Sequence, residues 1–368
     1  MELIYAPGLD SIIACETALS DVDGERGRLV IAGEEVEQLA GRASFAEVAA
    51  RLWRAAGLEP PADVAGALGA ARAAAFARLP RLGDALAAED GMDALRGAVA
   101  QLPSTGDLAA DAIAATGAIA VFAAAWARGR DGLAAIAPDP AAPHAADYLR
   151  MVAGEAPAPR ARALDHYLVT VSDHGMNAST FAARVVASTG SDPVSALVAA
   201  IGALKGPLHG GAPGPVLDML DAVAVPGAAR AWLAAELDAG RRIMGMGHRV
   251  YRVRDPRAAV LEAAIGELER AGAATGRLAL ARAVEHAAAQ LLRERHPDRV
   301  LAANVEFYTA VLLDAVGIPR ALFTPTFAAA RVAGWTAHIA EQRRTGRLIR
   351  PQSRYAAPSS QSAPSPAR

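Results

Sequence analysis

Alanine-rich apolar stretches that open on a helix-capping residue and close on a glycine recur along this chain, and they leave it little scope to be anything but helical. In "SDPVSALVAAIGALKG", Asp192 serves as N-cap, Pro193 takes the first helical position and Lys205-Gly206 close the segment. "RDPRAAVLEAAIGELERAG" repeats the device with Asp255 and Pro256. "SFAEVAARLWRAAG" sets Ser44 three residues ahead of Glu47, a capping-box spacing, with Gly57 as the stop. Hydrophobic residues make up 53% of the 368 but aromatics only 5%, and the excess is alanine, the best helix former. Further helices are expected in "TGRLALARAVEHAAAQLLRERHPDR", "NVEFYTAVLLDAVG" and "FTPTFAAARVAGWTAHIAEQRR". One exception lies near the N-terminus. Two short runs with β-character flank Asp23-Gly24 and Arg26-Gly27 and predict a small hairpin. The chain is long enough for a large core and for two domains.

Composition also narrows the function. A net charge of −2 gives no global field that favours nucleic acid or an anionic membrane, so neither is an expected partner. The single cysteine, Cys15, rules out an internal disulfide and suits a reducing, cytoplasmic setting. "MELIYAPGLD" has no basic segment followed by an apolar one, so no signal peptide is expected. The best membrane candidate, "DAIAATGAIAVFAAAWAR", is mostly alanine with an inner glycine and reads better as a buried core helix. The tail "AAPSSQSAPSPAR" is small, polar and proline-rich, which predicts disorder over 356–368.

Three of the eight histidines sit among glycines or beside turns: His174 in "SDHGMNAS", His209 in "LKGPLHGGAPG" and His248 in "GMGHRVYRVRDPR". Glycine there lets the backbone turn sharply or approach something closely, which a core histidine does not require. His174 can equally be a structural histidine that caps backbone. The His248 segment interleaves arginines with glycines, and Arg257 falls in the first turn of the next helix, where backbone N–H groups already favour anions. A solvated basic loop is the bland alternative. Glu306 opens an otherwise apolar helix behind Asn304. It can complement the helix dipole, or, if partly buried, act as a base near neutral pH; the sequence leaves both roles open. A three-histidine metal site is rejected, because no H-x-x-x-H or H-x-H pair supplies two ligands from one element. A serine hydrolase is rejected for want of G-x-S-x-G.

Taken together, "SDHGMNASTFAARVVAST", "IGALKGPLHGGA", "MGMGHRVYRVRDPRA", "NVEFYTAVLLDAVG" and "LFTPTFAAARVAGWTAHIAEQ" resemble the citrate synthase family, including its 2-methylcitrate synthases, in order and spacing. The resemblance runs from about residue 8 to 355 and is weakest between Leu58 and Ala146. It implies condensation of acetyl-CoA with oxaloacetate and hydrolysis of the citryl thioester, at the entry to the tricarboxylic acid cycle. It implies His209, His248 and Glu306 as catalytic residues: Glu306 takes a proton from the methyl carbon, His209 donates to the thioester oxygen, and His248 polarises the ketone. It implies oxaloacetate contacts from His174, Arg257, Arg331 and Arg350. Arg350 is the arginine that reaches into a neighbouring subunit's site, so a homodimer is expected. Met244, Gly245, Met246, Gly247 and Arg252 are the implied CoA contacts. No cofactor or metal is expected.

The fold implied is all-α, with a large domain from 1–210 and 318–355, a small domain from 211–317, and the active site in the cleft between them. Gly206, Gly210 and Gly211 are the expected hinge neighbours. One departure is Glu306, which stands where well-known family members carry aspartate. Within the class the rival is a 2-methylcitrate synthase that uses propionyl-CoA. The two substrates differ by one methylene, which a pocket discriminates by only ~1–3 kcal/mol. From another class, a catalytically weak CoA- or oxaloacetate-binding protein is the alternative.

Overall fold

A computed structural model gives the fold and describes residues 6–9, 12–210, 213–273 and 276–355. Among these, fifteen α-helices and one small antiparallel sheet account for the architecture, so the protein is all-α as expected. The expected hinge residue Gly211 and the tail 356–368 lie outside the described residues.

The capping signals set the helix starts where the sequence placed them. Ser44 Oγ accepts from the Glu47 N–H while Glu47 reaches back to the Ser44 N–H, and the helix Phe45–Ala55 follows. Gly57 ends it with φ +84°, a conformation that costs glycine little. Asp192 caps Pro193–Leu204 and Asp255 caps Pro256–Arg270, each with proline at the first position. Such caps contribute about 1 kcal/mol each.

The hairpin also forms. Ser20–Asp23 pairs with Arg28–Ile31 in the register Ser20↔Ile31 to Asp23↔Arg28. A third short strand, Glu34–Glu35, extends the sheet through Val30↔Glu35; two residues carry no period, so the sequence gave no sign of it.

Helix Leu108–Arg130 is long and apolar enough to cross a membrane, yet 67% of its apolar window is buried within the protein. It packs against Val64–Arg78, Gly91–Val99 and the last helix, Phe323–Thr345, as a core helix. Helices Pro256–Arg270 and Val305–Val316 pack on one another, and both pack on Ala158–Thr170. That three-helix arrangement sets one wall of the site described below.

Phe323–Thr345 is buried along nearly its whole length, polar residues included. Its polar residues are matched by a buried chain of bonds. Arg184 Nη1 lies 2.7 Å from both Glu341 Oε2 and His338 Nδ1, and His338 Nε2 lies 3.1 Å from Asp173 Oδ1. Since Arg184 can only donate, His338 Nδ1 accepts and its Nε2–H donates to Asp173. Ser20 Oγ donates to the other Asp173 oxygen at 2.5 Å, and the Ala18 N–H donates to Glu341 Oε1 at 2.9 Å. The hairpin is thereby pinned to the last helix and to the segment that carries His174. Burial opposes the Asp173 charge, but His338, Arg331 and Ser20 outweigh it and bring the carboxyl down to about 2.

Candidate active site

The glycines of "GMGHRVYRVRDPR" shape a loop that is sewn to the start of the Glu306 helix. Gly245 and Gly247 have φ of +75° and +86°. Gly247 N–H donates to Ala302 O at 2.7 Å, Asn304 N–H to Gly245 O at 3.0 Å, and Asn304 Nδ2 to Gly247 O at 2.9 Å. A side chain at Gly245 would place its Cβ 2.9 Å from the Phe307 side chain, so only glycine fits. On its other side the loop meets the hairpin turn. Arg252 N–H donates to Gly24 O at 2.8 Å, and a Cβ on Gly24 would lie 2.3 Å from Val250 O.

His248 follows directly. Its Nδ1 accepts from the backbone N–H groups of Val250 and Tyr251, each at 3.0 Å, which puts the proton of the neutral ring on Nε2. Burial first, and then the Arg257 charge, push its pKa down to about 4, so the ring is neutral at physiological pH. Nε2 lies 3.5 Å from Arg257 Nη2. Two donors side by side suit an oxygen acceptor shared between them. Arg257 is fixed by Asp255, whose carboxylate takes its Nε at 3.0 Å and its Nη2 at 2.7 Å. Burial disfavours the Arg257 charge, but Asp255 more than offsets it and the pKa rises.

His174 is buried and touches the same group. Its ring lies edge-on to His248 with centroids 5.7 Å apart, and its Nε2 is 3.1 Å from the Tyr251 hydroxyl. Burial, then Arg257 and Arg331, hold its pKa well below the usual value. Arg331, on the last helix, donates from Nε to Val171 O at 2.7 Å and lies over the Phe327 ring at 4.6 Å. Its Nη2 is buried with no hydrogen-bond partner. Burial pushes Arg331 down to about 10, which still leaves it charged.

His209 also packs against Phe327, edge-on, with ring centroids 6.4 Å apart. Its Nε2 is 2.8 Å from Ser179 Oγ, which also accepts from Trp335 Nε1 at 3.1 Å and lies 2.8 Å from Asn177 Oδ1. Burial, with Arg331 and Arg257, brings the His209 pKa down to about 4. Gly210 follows it in close backbone packing: its N–H donates to Leu204 O at 3.0 Å, and Thr324 Oγ1 donates to Gly210 O at 2.9 Å.

Glu306 is the second residue of Val305–Val316, capped by Asn304. The dipole role foreseen for it is therefore open to it geometrically. Its environment adds a second character: Oε2 is buried with no partner, and burial raises the carboxyl to about 7 against the pull of Arg257 and Arg331. A carboxyl poised near neutrality can exchange a proton at physiological pH.

The structure thus gathers His174, His209, His248, Arg257, Glu306 and Arg331 around one space. Met244, Gly245, Met246 and Gly247 form its rim loop. Arg252 is exposed, and so is Arg350 beyond the end of the last helix. Five supporting residues escaped the sequence reading: Ser179, Tyr251, Asp255 as a clamp rather than a cap, Phe327 and Trp335. Asp255 was the most accessible, since Asp-Pro-Arg puts a capping carboxylate two residues from an arginine.

Neutral donors, a carboxyl poised to accept a proton and fixed cations make this a site for proton transfer beside an anionic ligand. Comparison with known proteins narrows the class. Residues 8–352 match the model "Citrate synthase, C-terminal domain". A protein named putative citrate synthase 2 from Mycobacterium tuberculosis is 54% identical over 196 residues, and that match spans 53% of this chain and about half, 51%, of the relative. The citrate synthase of Haloferax volcanii is 38% identical across 95% of this chain and 94% of its own. The 2-methylcitrate synthase of Mycobacterium tuberculosis is also 38% identical, across 95% of this chain and 89% of its own. Among solved structures, citrate synthase from Thermoplasma acidophilum in a ternary complex with carboxymethyl coenzyme A and oxaloacetate superposes with a TM-score of 0.86 at 26% identity, over 97% of each chain. This chain belongs to the citrate synthase family.

Proposed function

We propose that this protein condenses an acyl-CoA with oxaloacetate and hydrolyses the resulting thioester, acetyl-CoA being the substrate and citrate and CoA the products. Members of its family are acyltransferases of this kind. The observation that carries the reading is the shared space of Glu306, His248, Arg257 and Arg331, a proton acceptor facing a pair of donors and two buried cations.

In this reading Glu306 takes a proton from the acyl methyl group. The electron pair left on carbon delocalises onto the thioester oxygen, which His209 stabilises by donating a hydrogen bond. Neutral imidazole suits this work, because it stabilises an enol without surrendering a proton fully. The enol carbon then attacks the ketone of oxaloacetate. His248 Nε2–H polarises that ketone, Arg257 and Arg331 bind the carboxylates, and His174 orients the ligand. A new C–C bond forms, and the ketone oxygen takes the His248 Nε2 proton to become an alcohol. The proton held by Glu306 passes to solvent, from which His248 is reprotonated, and water cleaves the thioester to release CoA.

Met244, Gly245, Met246, Gly247 and Arg252 are assigned to CoA, and Arg350 to the site of a second subunit in a homodimer. A large domain of 1–210 and 318–355 and a small one of 211–317 would close on the ligands and exclude water before condensation. The chemistry needs no metal or cofactor, and the setting assigned is cytoplasmic.

A second reading, propionyl-CoA as the acyl donor, is favoured by equal identity to a citrate synthase and a 2-methylcitrate synthase, 38% in each case. CoA thiol release measured with oxaloacetate and each thioester, compared as kcat/KM, tests both. Faster acetyl-CoA turnover supports the first reading and faster propionyl-CoA turnover the second. Binding of both ligands without thiol release would reject the enzyme and leave a binding protein.

A further inference from the structure

Tyr167 lies beside this machinery without a part in it. It belongs to Ala158–Thr170, the helix that packs against both the Glu306 helix and the Arg331 helix. Its side chain is fully buried, and its hydroxyl has no hydrogen-bond partner. Glu306 Oε2, Thr309 Oγ1 and Arg331 Nη2 are buried without partners as well. Thr309 stands three residues after Glu306, so the two share a helix face. The Tyr167 hydroxyl sits next to Thr309, though the pair falls short of good hydrogen-bond geometry, and it is close enough to Glu306 and Arg331 for their charges to act on it.

Buried hydroxyls without partners weaken a fold, and phenylalanine would fill the same volume without that cost. Ligand carboxylates account for Arg331 Nη2, and the transferred proton accounts for one Glu306 oxygen. Neither accounts for Tyr167 or Thr309. We propose that Tyr167, supported by Thr309, is a positioning residue for the Glu306 carboxylate: its hydroxyl donates to Oε2 when Glu306 is charged and so fixes the carboxylate plane for proton abstraction. This rests on Glu306 being the base of the proposed reaction.

The groups that bear on the pair come from every neighbouring helix. Glu306 faces Asp255 and Arg257 from the start of Pro256–Arg270, and Arg331 from the last helix. Tyr167 faces Glu306, Arg331 and Tyr148. A donor to the charged carboxylate favours that charge, and its loss raises the pKa.

The experiment compares the full-length protein with Tyr167→Phe and Thr309→Val. Infrared difference titration follows the protonated carboxyl band, assigned to Glu306 by its loss in Glu306→Gln, and the pH profile of kcat is recorded alongside. Tyr167→Phe should move the half-protonation point up by about half a unit or more, and lower kcat about twofold or more near pH 7 with recovery at higher pH. Thr309→Val should move both in the same direction by less. A uniform loss of kcat at every pH with an unmoved band would mean Tyr167 is only structural and would overturn the proposal. If Tyr167→Phe does not fold, an unmoved band in Thr309→Val overturns it equally. Should the wild-type protein turn over neither thioester while the band still shifts, the reaction is wrong and the coupling of Tyr167 to Glu306 stands.

Discussion

Asp255 Oδ2 accepts from both Arg257 Nη2, at 2.7 Å, and the backbone N–H of Val305, at 3.1 Å. One carboxylate therefore orients an arginine of the site and the first turn of the helix that carries Glu306. In the proposed reaction two ends of the chemistry, the grip on the acceptor and the base, would share this single buried anchor.

Asp255→Asn should raise KM for oxaloacetate about tenfold or more and lower Tm, because removing one partner of a buried charge pair costs about 2–5 kcal/mol. Steady-state kinetics and thermal denaturation of the same preparation check this. An unchanged KM would mean that Arg257 holds its place without the clamp.

Activity should show a single ionisation between about pH 5 and 8. Glu306 titrates at about 7, whereas His209 and His248 stay neutral down to about 4. The rate should therefore fall about tenfold per unit as pH drops below 7, with slope one. A steeper limb would show that a histidine titrates in the same range.

Stability should respond to Glu306 with the opposite sense from an ordinary ion-paired carboxylate. Its folded pKa of about 7 lies above the ordinary glutamate value of 4.5, so the stability it contributes is fully present below about 4.5 and is lost as pH rises through about 7. Glu306→Gln should thus melt higher than wild type at pH 8, by an amount worth about 1–3 kcal/mol. The gap should close toward pH 5. Calorimetry at the two pH values measures it, and a gap that does not change with pH would assign the gain to something other than the buried charge.

Gly245→Ala should reduce kcat about tenfold or more while CoA binding changes less. The added Cβ would fall 2.9 Å from Phe307, the neighbour of Glu306, in a backbone conformation of φ +75° that disfavours alanine. Equal losses in kcat and in CoA affinity would point to general unfolding of the loop.

The helical class, the hairpin and the helix starts were legible because they are local. Asp192, Asp255 and Ser44 act on backbone two or three residues away, and alanine content speaks over short windows. The resemblance supplied the residues that meet at the site, and glycine context had already singled out its three histidines. Ser179, Phe327 and Trp335 were not legible, since their roles depend on packing between helices more than a hundred residues apart. Nor was the state of Glu306. A carboxylate at a helix start leaves the dipole and base roles both open until the distant Arg257 and Arg331, and the loss of solvent, are known. Arg350 is the residue whose assigned role owes most to the resemblance, because within one chain it remains exposed.

The bond from Ala18 N–H to Glu341 Oε1 joins residues 323 positions apart. Close by, Ser20, Asp173 and His338 tie the first strand to the last helix, and the turn of that hairpin abuts the His248 loop. During synthesis the first strand leaves the ribosome long before its partners exist. A nascent chain can form helices early, but it can complete the set of bonds that hold its hairpin only once residue 341 has emerged. Completion of the site therefore waits on residue 341, and shortening the last helix would remove one of the ties that hold the hairpin at the opposite end of the sequence.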